Sequence, residues 1–184
     1  RSIYAATEAA LVAATETLAI VGDPADENVV VGPLLRGRDA DRVAAWIEEA
    51  RQKGARVLTG HRRDGDTLWP TLLADVPSDT QVSCEEVFGP VALLTPVADL
   101  DQAIQLPNRS DYGLQAGIFT NDHKKLMRSF ASLRVGALVH NDVPTFRVDH
   151  MPYGGTKRSG VGREGVRYAM EEMTEPRLLV MQTA

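Results

Sequence analysis

The most informative stretch of the sequence is Ser83-Cys84-Glu85-Glu86-Val87-Phe88-Gly89-Pro90. It places two adjacent carboxylates and an aromatic ring directly before a Gly-Pro stop. Such a stretch cannot extend a buried strand, because the charges need water or partners and Pro90 has no N–H for a strand ladder. We therefore interpret it as part of a binding site. Taken alone, it also fits an acidic pair before a turn on a solvated surface.

Four further blocks of the sequence accompany this stretch. They are, in chain order, Gly22-Asp23-Pro24 with Val31-Gly32-Pro33-Leu34, Asn108-Arg109-Ser110-Asp111-Tyr112-Gly113-Leu114, Phe119-Thr120-Asn121-Asp122, and Pro152-Tyr153-Gly154-Gly155-Thr156-Lys157-Arg158-Ser159-Gly160-Val161-Gly162-Arg163-Glu164. In content and order these blocks resemble the motifs of the aldehyde dehydrogenase superfamily, and the resemblance covers nearly all 184 residues. It implies an NAD(P)-dependent enzyme that oxidises a small aldehyde to a carboxylate.

The resemblance assigns three residues to the cofactor, NAD or NADP. Glu86 matches the carboxylate that holds the hydroxyls of the nicotinamide ribose, and Phe88 matches the ring beside the nicotinamide. A carboxylate suits the first role because it accepts hydrogen bonds from both vicinal hydroxyls. Leu114 matches a position near the nicotinamide and the substrate, and a place in the apolar core fits it equally well. Glu85 is expected to face solvent or a structural arginine.

A second group of candidates follows a predicted strand, in the long irregular segment 141–153. Binding residues tend to lie in such loops. By resemblance, Tyr153 occupies an aromatic position of the substrate tunnel, and Thr145 and Arg147 lie along its wall. His150 is either a second ligand of the substrate or a structural donor.

Arg147 bears on the chemical class of the substrate. Many members of the family have an apolar or aromatic residue at the matching position. A guanidinium in a partly dry tunnel is costly unless a negative group meets it. Either Asp149 or an anionic group of the substrate must supply that charge, and we favour the substrate.

The resemblance also indicates what the sequence lacks. The family's nucleophilic cysteine lies shortly before the segment that matches Arg1-Ser2-Ile3-Tyr4, and neither that cysteine, the general-base glutamate nor the upstream nucleotide-binding domain is present. We expect residues 1–175 to form part of the catalytic domain and residues 176–184 to form a C-terminal oligomerisation strand. The chain alone is then inactive. The alternative is a catalytically silent dimerisation or ligand-binding module.

Two other features invite assignments that the sequence argues against. Cys84 is the only thiol, but two carboxylates follow it and disfavour the thiolate, so we expect an inert, buried cysteine. Residues 160–165 read Gly-Val-Gly-Arg-Glu-Gly, a formal dinucleotide-binding pattern without the strand that should precede it. We interpret these glycines as tight turns before a final helix at about 165–174.

Composition narrows the class of protein further. A 43% hydrophobic and 24% charged chain is typical of a soluble globular domain. The net charge of -5 gives no basic footprint for nucleic acid, and no apolar run approaches a membrane span. The four histidines are scattered, so we predict no metal site. The single cysteine fits a reducing compartment, and we expect a cytoplasmic protein. The family resemblance implies a homo-oligomer, a dimer or tetramer, whose partner is a small aldehyde.

Apolar periodicity predicts an α/β fold with a mostly parallel sheet flanked by helices. Helices are expected at 3–18, at about 43–54, from Asp99 through Leu106, and at 122–133. Strands are expected at 55–59, 91–97, 117–120, 137–140 and 177–181, with 91–97 in the centre of the sheet. Residues 68–76 are expected to form an edge ribbon, because they contain Pro70.

Overall fold

The computed structural model describes residues 3–182, which fall into two compact units, one ending at Ala98 and the other beginning at Asp99. The helices are α1 (Tyr4–Leu18), α2 (Gly37–Gln52), α3 (Gln81–Cys84), α4 (Leu100–Arg109), α5 (His123–Ser132) and α6 (Val166–Glu172). The strands are β1 (Arg56–Thr59), β2 (Arg63–Asp64), β3 (Thr67–Leu68), β4 (Thr71–Ala74), β5 (Val91–Leu94), β6 (Tyr112–Gly113), β7 (Gln115–Ile118), β8 (Ala137–His140) and β9 (Thr156–Lys157).

The first unit is built on a three-stranded sheet in the order β1-β4-β5. β1 and β4 are antiparallel, whereas β4 and β5 are parallel. Helix α2 covers this sheet with Val43, Ile47 and Ala50, which are all buried. Their spacing of four and then three residues puts them on one stripe of the helix. The helix ends as predicted, since Lys53 caps it and Gly54 follows with a φ of 106°.

Two strand predictions for this unit are wrong. Residues 71–74 form the middle strand rather than an edge ribbon, and all four are buried. Pro70 precedes the strand, so its missing N–H falls outside the ladder, which begins where Thr71 N donates to Pro90 O at 2.8 Å. Residues 91–94 form an end strand of this sheet rather than its centre. Ala92 of this strand is exposed, so the continuous apolar run of residues 91–97 did not indicate a strand that is buried on both faces.

The second unit contains a parallel strand–helix–strand crossover. β7 and β8 pair in parallel from Gln115 with Ala137 to Ile118 with His140, and α5 connects them, as predicted. The two longer helices of this unit, α4 and α5, are each preceded by a capping aspartate. The Asp99 side chain accepts from Gln102 N at 2.9 Å at the start of α4, and Asp122 accepts from Lys125 N at 3.1 Å at the start of α5.

The remaining elements of the second unit join two distant parts of the chain. β6 and β9 pair in antiparallel fashion, so that Tyr112 lies opposite Lys157 and Gly113 lies opposite Thr156. Helix α6 then follows the glycine-rich loop, where the sequence predicted it. Within residues 3–182 the fold is α/β, and two of the three pairings between four-residue strands are parallel.

The predicted C-terminal strand is not formed in the single chain. Residues 177–182 have no regular secondary structure, and the last two residues lie outside the described part. Leu178, Leu179, Val180 and Met181 are each 74–90% exposed. A strand needs a neighbour for its hydrogen bonds, so the oligomerisation role of this segment stays a prediction. Among the described helices, none is long and apolar enough to cross a membrane.

Gly60 provides a test of how tightly the first unit is packed. A Cβ at Gly60 would lie 2.1 Å from Pro70 O, whereas a Cβ at Gly54 meets nothing within 4 Å. Both glycines have positive φ, of 85° and 106°. We expect Gly54→Ala to cost about 1–3 kcal/mol through backbone strain alone. Gly60→Ala should cost roughly 1–3 kcal/mol more, because Pro70 must also move.

The measurement is the free energy of unfolding in urea for both variants. Gly54→Ala is the matched control, since it carries the strain without the collision. Equal losses of stability in the two variants would contradict the close packing of Gly60 against the start of β4.

Candidate functional site

The stretch 83–90 lies on the surface of the first unit and is held there by Val87. The Val87 side chain packs against the core cluster of α2 and β4, and its carbonyl oxygen accepts from Arg42 Nη2 at 2.9 Å. The flanking residues Glu86 and Phe88 are exposed. Anchoring at Val87 therefore presents a carboxylate and a ring on either side of one fixed point.

The backbone of Phe88 is strained. Its φ is 46°, a left-handed conformation that bulky residues rarely adopt. Its ring is 78% exposed, so burial of the ring does not compensate for the strain. Gly89 follows in close contact with α2, where an added Cβ would lie 3.0 Å from Val43 Cγ2. Backbone strain of this kind is often found at binding sites, and here it holds an apolar ring in the open.

The sequence also predicted the environments of Cys84 and Glu85 in this stretch. Cys84 is exposed, which corrects the expectation of a buried thiol, and its Sγ donates to Ser78 O at 3.1 Å. It is the last residue of the short helix α3, in which the buried residue is Val82. Glu85 is half-buried.

In the second unit, the side chain of Lys157 joins two of the sequence blocks. Lys157 Nζ donates to the carbonyl oxygens of Asn108 at 3.2 Å, Ser110 at 2.7 Å and Tyr112 at 3.3 Å. Ser159 strengthens the junction, because its Oγ accepts from Gly113 N at 2.9 Å. Blocks more than forty residues apart in sequence thus form one rigid assembly.

Leu114 follows this junction and is 37% exposed. It borders a concavity of about 190 Å³ that is also lined by Tyr153, Arg163, Glu164 and Glu172. The structure therefore brings together one predicted cofactor residue, Leu114, and one predicted substrate residue, Tyr153. Within the described residues Leu114 is therefore partly exposed rather than buried in the apolar core.

The glycines of residues 160–165 shape one side of this concavity. Gly160, Gly162 and Gly165 have φ values of 153°, 79° and 115°, and α6 starts at the next residue. Arg163 braces the loop, since its Nη1 donates to Gly155 O at 2.9 Å and to Gly162 O at 2.6 Å. The prediction of tight turns before a final helix is confirmed.

Arg147 has a partner that the sequence did not suggest. Its Nη2 donates to Glu164 Oε2 at 2.8 Å, and its guanidinium carbon lies 4.4 Å from the centre of the Tyr153 ring. Asp149 is not the partner, which corrects that alternative. The Arg147 side chain is also 46% exposed, so the guanidinium is not in a dry tunnel within this unit. Glu164 is the last residue of the sequence block 152–164. It lies 17 residues from Arg147, so the sequence around Arg147 gave no sign that the two side chains pair.

Glu164 is fixed relative to Tyr153 by the main chain. Tyr153 N donates to Glu164 O at 3.1 Å, and Glu164 N donates to Tyr153 O at 2.6 Å. These two bonds form an isolated antiparallel bridge. The arginine, the ring and the carboxylate therefore form a compact group with a defined backbone.

The other two substrate candidates lie elsewhere in the second unit. His150 borders a separate concavity of about 510 Å³, which Val166, Met170 and Thr174 of the α6 region also line. Thr145 is exposed and lines neither concavity. The described residues contain no group of three or more His, Cys, Asp or Glu side chains that could hold a metal ion.

Comparison with known families identifies the chain. The model of the aldehyde dehydrogenase family matches residues 1–179, and the chain therefore belongs to that family. A 3-sulfolactaldehyde dehydrogenase of Priestia megaterium is 46% identical over 180 residues, which are 98% of this chain and 38% of that protein. A lactaldehyde dehydrogenase of Methanococcus maripaludis is 40% identical over 162 residues, which are 88% of this chain and 35% of that protein. The chain thus spans little more than a third of these relatives.

Solved structures agree with this assignment. Aldehyde dehydrogenase 21 from Physcomitrella patens, in complex with the reaction product succinate, has a TM-score of 0.96 and 41% identity over 99% of this chain and 38% of that one. The NADP-dependent glyceraldehyde-3-phosphate dehydrogenase of Bacillus halodurans, complexed with NADP, has a TM-score of 0.93 and 36% identity over 100% of this chain and 38% of that one. The predicted catalytic-domain fold is confirmed.

Lys157 generates a test of the junction between the blocks. Lys157→Met should destabilise the second unit by about 1.5–3 kcal/mol, because three half-buried carbonyl oxygens lose a charged donor. Amide hydrogen exchange at residues 108–113 should accelerate with it. Lys124→Met, at an exposed position of α5, is the control and should change the stability by less than about 0.5 kcal/mol. Unchanged exchange at 108–113 in Lys157→Met would contradict the junction.

Proposed function

We propose that this chain is the C-terminal catalytic-domain portion of an NAD(P)-dependent aldehyde dehydrogenase that oxidises a small anionic aldehyde to a carboxylate. The observation that carries the proposal is the exposed pair Glu86 and Phe88 on either side of the anchored Val87. Among the described residues, the Glu86 carboxylate has no hydrogen-bond or salt-bridge partner, so it is free to accept from an external group.

The Glu86 and Phe88 side chains fit the nicotinamide end of the cofactor. The Glu86 carboxylate accepts hydrogen bonds from both ribose hydroxyls at once, which orients the sugar. The Phe88 ring supplies a flat apolar wall that restricts the nicotinamide to one position. NAD or NADP, when bound, accepts hydride from the substrate. The position of Glu86 and Phe88 thus serves orientation, which is a large part of the catalytic advantage in such reactions.

The substrate end of the proposal rests on the second unit. Leu114 and Tyr153 line one concavity, and Arg147 stacks on the Tyr153 ring. In the family's chemistry a thiolate attacks the aldehyde carbon, loss of hydride from that carbon to the nicotinamide would turn the adduct into a thioester, and water would then hydrolyse the thioester. Leu114, Tyr153 and Arg147 would hold the aldehyde, and the nucleophilic thiol would come from the upstream part of the enzyme.

The anionic character of the substrate is supported by Arg147 and by the names of similar proteins. The compounds in those names carry a sulfonate, a carboxylate and a phosphate: 3-sulfolactaldehyde, succinate and glyceraldehyde-3-phosphate. Lactaldehyde, in the name of the Methanococcus relative, carries no charge. A planar guanidinium suits all three anionic groups, because it can donate two parallel hydrogen bonds to each. We therefore place the selection of the anion at Arg147.

A second candidate function is a module without catalysis that mediates dimerisation. It is favoured by the exposed apolar residues Leu178, Leu179, Val180 and Met181 at the end of the chain. These residues would pair with a second subunit in either case, so a homo-oligomer is part of both proposals. Only the first proposal requires the chain to support oxidation of an aldehyde, and activity therefore separates the two.

A chimera tests the proposed function directly. The upstream part of the Priestia 3-sulfolactaldehyde dehydrogenase is fused to this chain, which replaces the matching segment. We expect the chimera to form reduced cofactor with 3-sulfolactaldehyde faster than with lactaldehyde, whereas this chain alone should form none. A folded chimera without activity would favour the silent module. Equal catalytic efficiency on both aldehydes would remove the anionic preference.

Glu86 is tested in the same chimera. Glu86→Gln keeps the shape of the side chain and removes its charge, so it should lower kcat/KM for the cofactor about tenfold or more. Glu27→Gln removes the same charge from another exposed position of the first unit and is the control. Unchanged kinetics with NAD and with NADP would exclude Glu86 from the cofactor site.

A further inference from the structure

Arg147, Tyr153 and Glu164 form one group of side chains, and the proposed function gives Glu164 no role. The Glu164 carboxylate contacts the one guanidinium to which the proposed function assigns the substrate's anion, with 2.8 Å between Arg147 Nη2 and Glu164 Oε2. The two main-chain hydrogen bonds between Tyr153 and Glu164 fix the backbone of both residues. The bridge thus fixes where the Glu164 side chain starts, and the ion pair places its carboxylate beside the guanidinium, where an approaching anion meets it.

The ion pair leaves most of the guanidinium available. A guanidinium has five N–H donors, and within residues 3–182 Arg147 uses one of them, on Nη2, for a hydrogen bond. The Tyr153 ring covers one face and leaves the edges of the group open. Because the Arg147 side chain is 46% exposed, an external anion can reach the remaining donors without displacing Glu164.

The charge of Glu164 works against that anion. The pair of Arg147 and Glu164 has a net charge of zero, so an anion gains hydrogen bonds from the guanidinium and is repelled by the carboxylate beside it. The other charged groups that line the neighbouring concavity, Arg163 and Glu172, also cancel. Loss of the Glu164 charge would leave the whole group with one net positive charge.

We infer that Glu164 is a specificity-determining residue that sets how strongly Arg147 attracts the anionic group of the substrate. This inference rests on the proposed function, because it takes Arg147 as the anion's ligand. Glu164 holds the guanidinium over Tyr153 and moderates its attraction for anions. The preference for anionic over neutral aldehydes is thus set by a pair of residues rather than by the arginine alone.

The experiment measures anion binding to the full chain by NMR. The probe is 2-hydroxyethanesulfonate, an unreactive sulfonate, and 1,2-propanediol is the uncharged comparison. Binding is followed at the side-chain Nε–Hε of Arg147 and at the amide of Tyr153. The proteins are the wild type, Glu164→Gln, Arg147→Leu and the double variant, with Asp101→Asn as the control for charge. Asp101 is exposed and pairs with Arg128 between α4 and α5 of the same unit.

We expect Glu164→Gln to bind 2-hydroxyethanesulfonate about two- to fivefold more tightly, a size typical of one partly exposed ion pair. Asp101→Asn should change the affinity little. In the Arg147→Leu background, Glu164→Gln should have no such effect, and 1,2-propanediol should bind equally in all variants. The amide spectrum reports folding, and Glu164→Ala, which also lacks the carboxylate, should reproduce the tightening.

Each of the following outcomes would overturn the inference. Tightening in Glu164→Gln that is no larger than in Asp101→Asn would remove Glu164 as a determinant, and tightening that persists in Arg147→Leu would assign it to another cation. If Arg147→Leu weakens binding while Glu164→Gln matches the control, the inference fails and the anionic preference stands. If Arg147→Leu binds the sulfonate as well as the wild type does, the anionic part of the proposed function fails as well.

Discussion

The ammonium group of Lys157 is the interaction on which the second unit depends. It donates hydrogen bonds to the carbonyl oxygens of Asn108, Ser110 and Tyr112, which lie between the end of α4 and the start of β6. Lys157 itself has a φ of 57°, so its backbone is strained, and the three contacts compensate for that strain. Leu114 directly follows the turn that they hold, and Tyr153 lies four residues before Lys157. The relative position of these two candidate site residues is therefore held by the Lys157 ammonium group together with the pairing of β6 and β9 and the bond from Gly113 N to Ser159 Oγ.

In the first unit, packing of apolar side chains holds the candidate site residues in place. Glu86 and Phe88 must face outward, and a stretch with both of them exposed has little hydrophobic reason to stay in place. Packing of Val87 against α2 and the hydrogen bond from Arg42 to the Val87 carbonyl oxygen hold the stretch in place. Gly89 then allows the chain to pass within contact distance of Val43, where a larger residue would push the whole stretch away. The exposed, strained Phe88 is thus supported by half-buried neighbours on both sides, Val87 and Gly89.

The pair of Arg147 and Glu164 shows how local electrostatics and backbone geometry combine. Half-exposed ion pairs contribute little to stability, so this pair is of more interest for recognition than for folding. Stacking on Tyr153 orients the guanidinium, and the main-chain bridge between Tyr153 and Glu164 fixes the backbone from which the Glu164 side chain extends. An anion that enters would meet a donor group of defined direction and moderated charge. Selectivity then depends on two residues 17 positions apart.

The sequence by itself determined the family and most of the helices, but neither the short α3 nor the start of α2, which begins at Gly37 rather than near Val43. Asp99 and Asp122 cap helices through hydrogen bonds to amides three residues away, and Val43, Ile47 and Ala50 mark a helix face by spacing alone, since both effects are local. Only the tertiary structure decided that residues 71–74 form the middle strand, that Cys84 is exposed and that Glu164, rather than Asp149, meets Arg147. Each of these depends on segments distant in sequence, whose approach is set by strand pairing and core packing. Periodicity and charge in a short window do not contain that information.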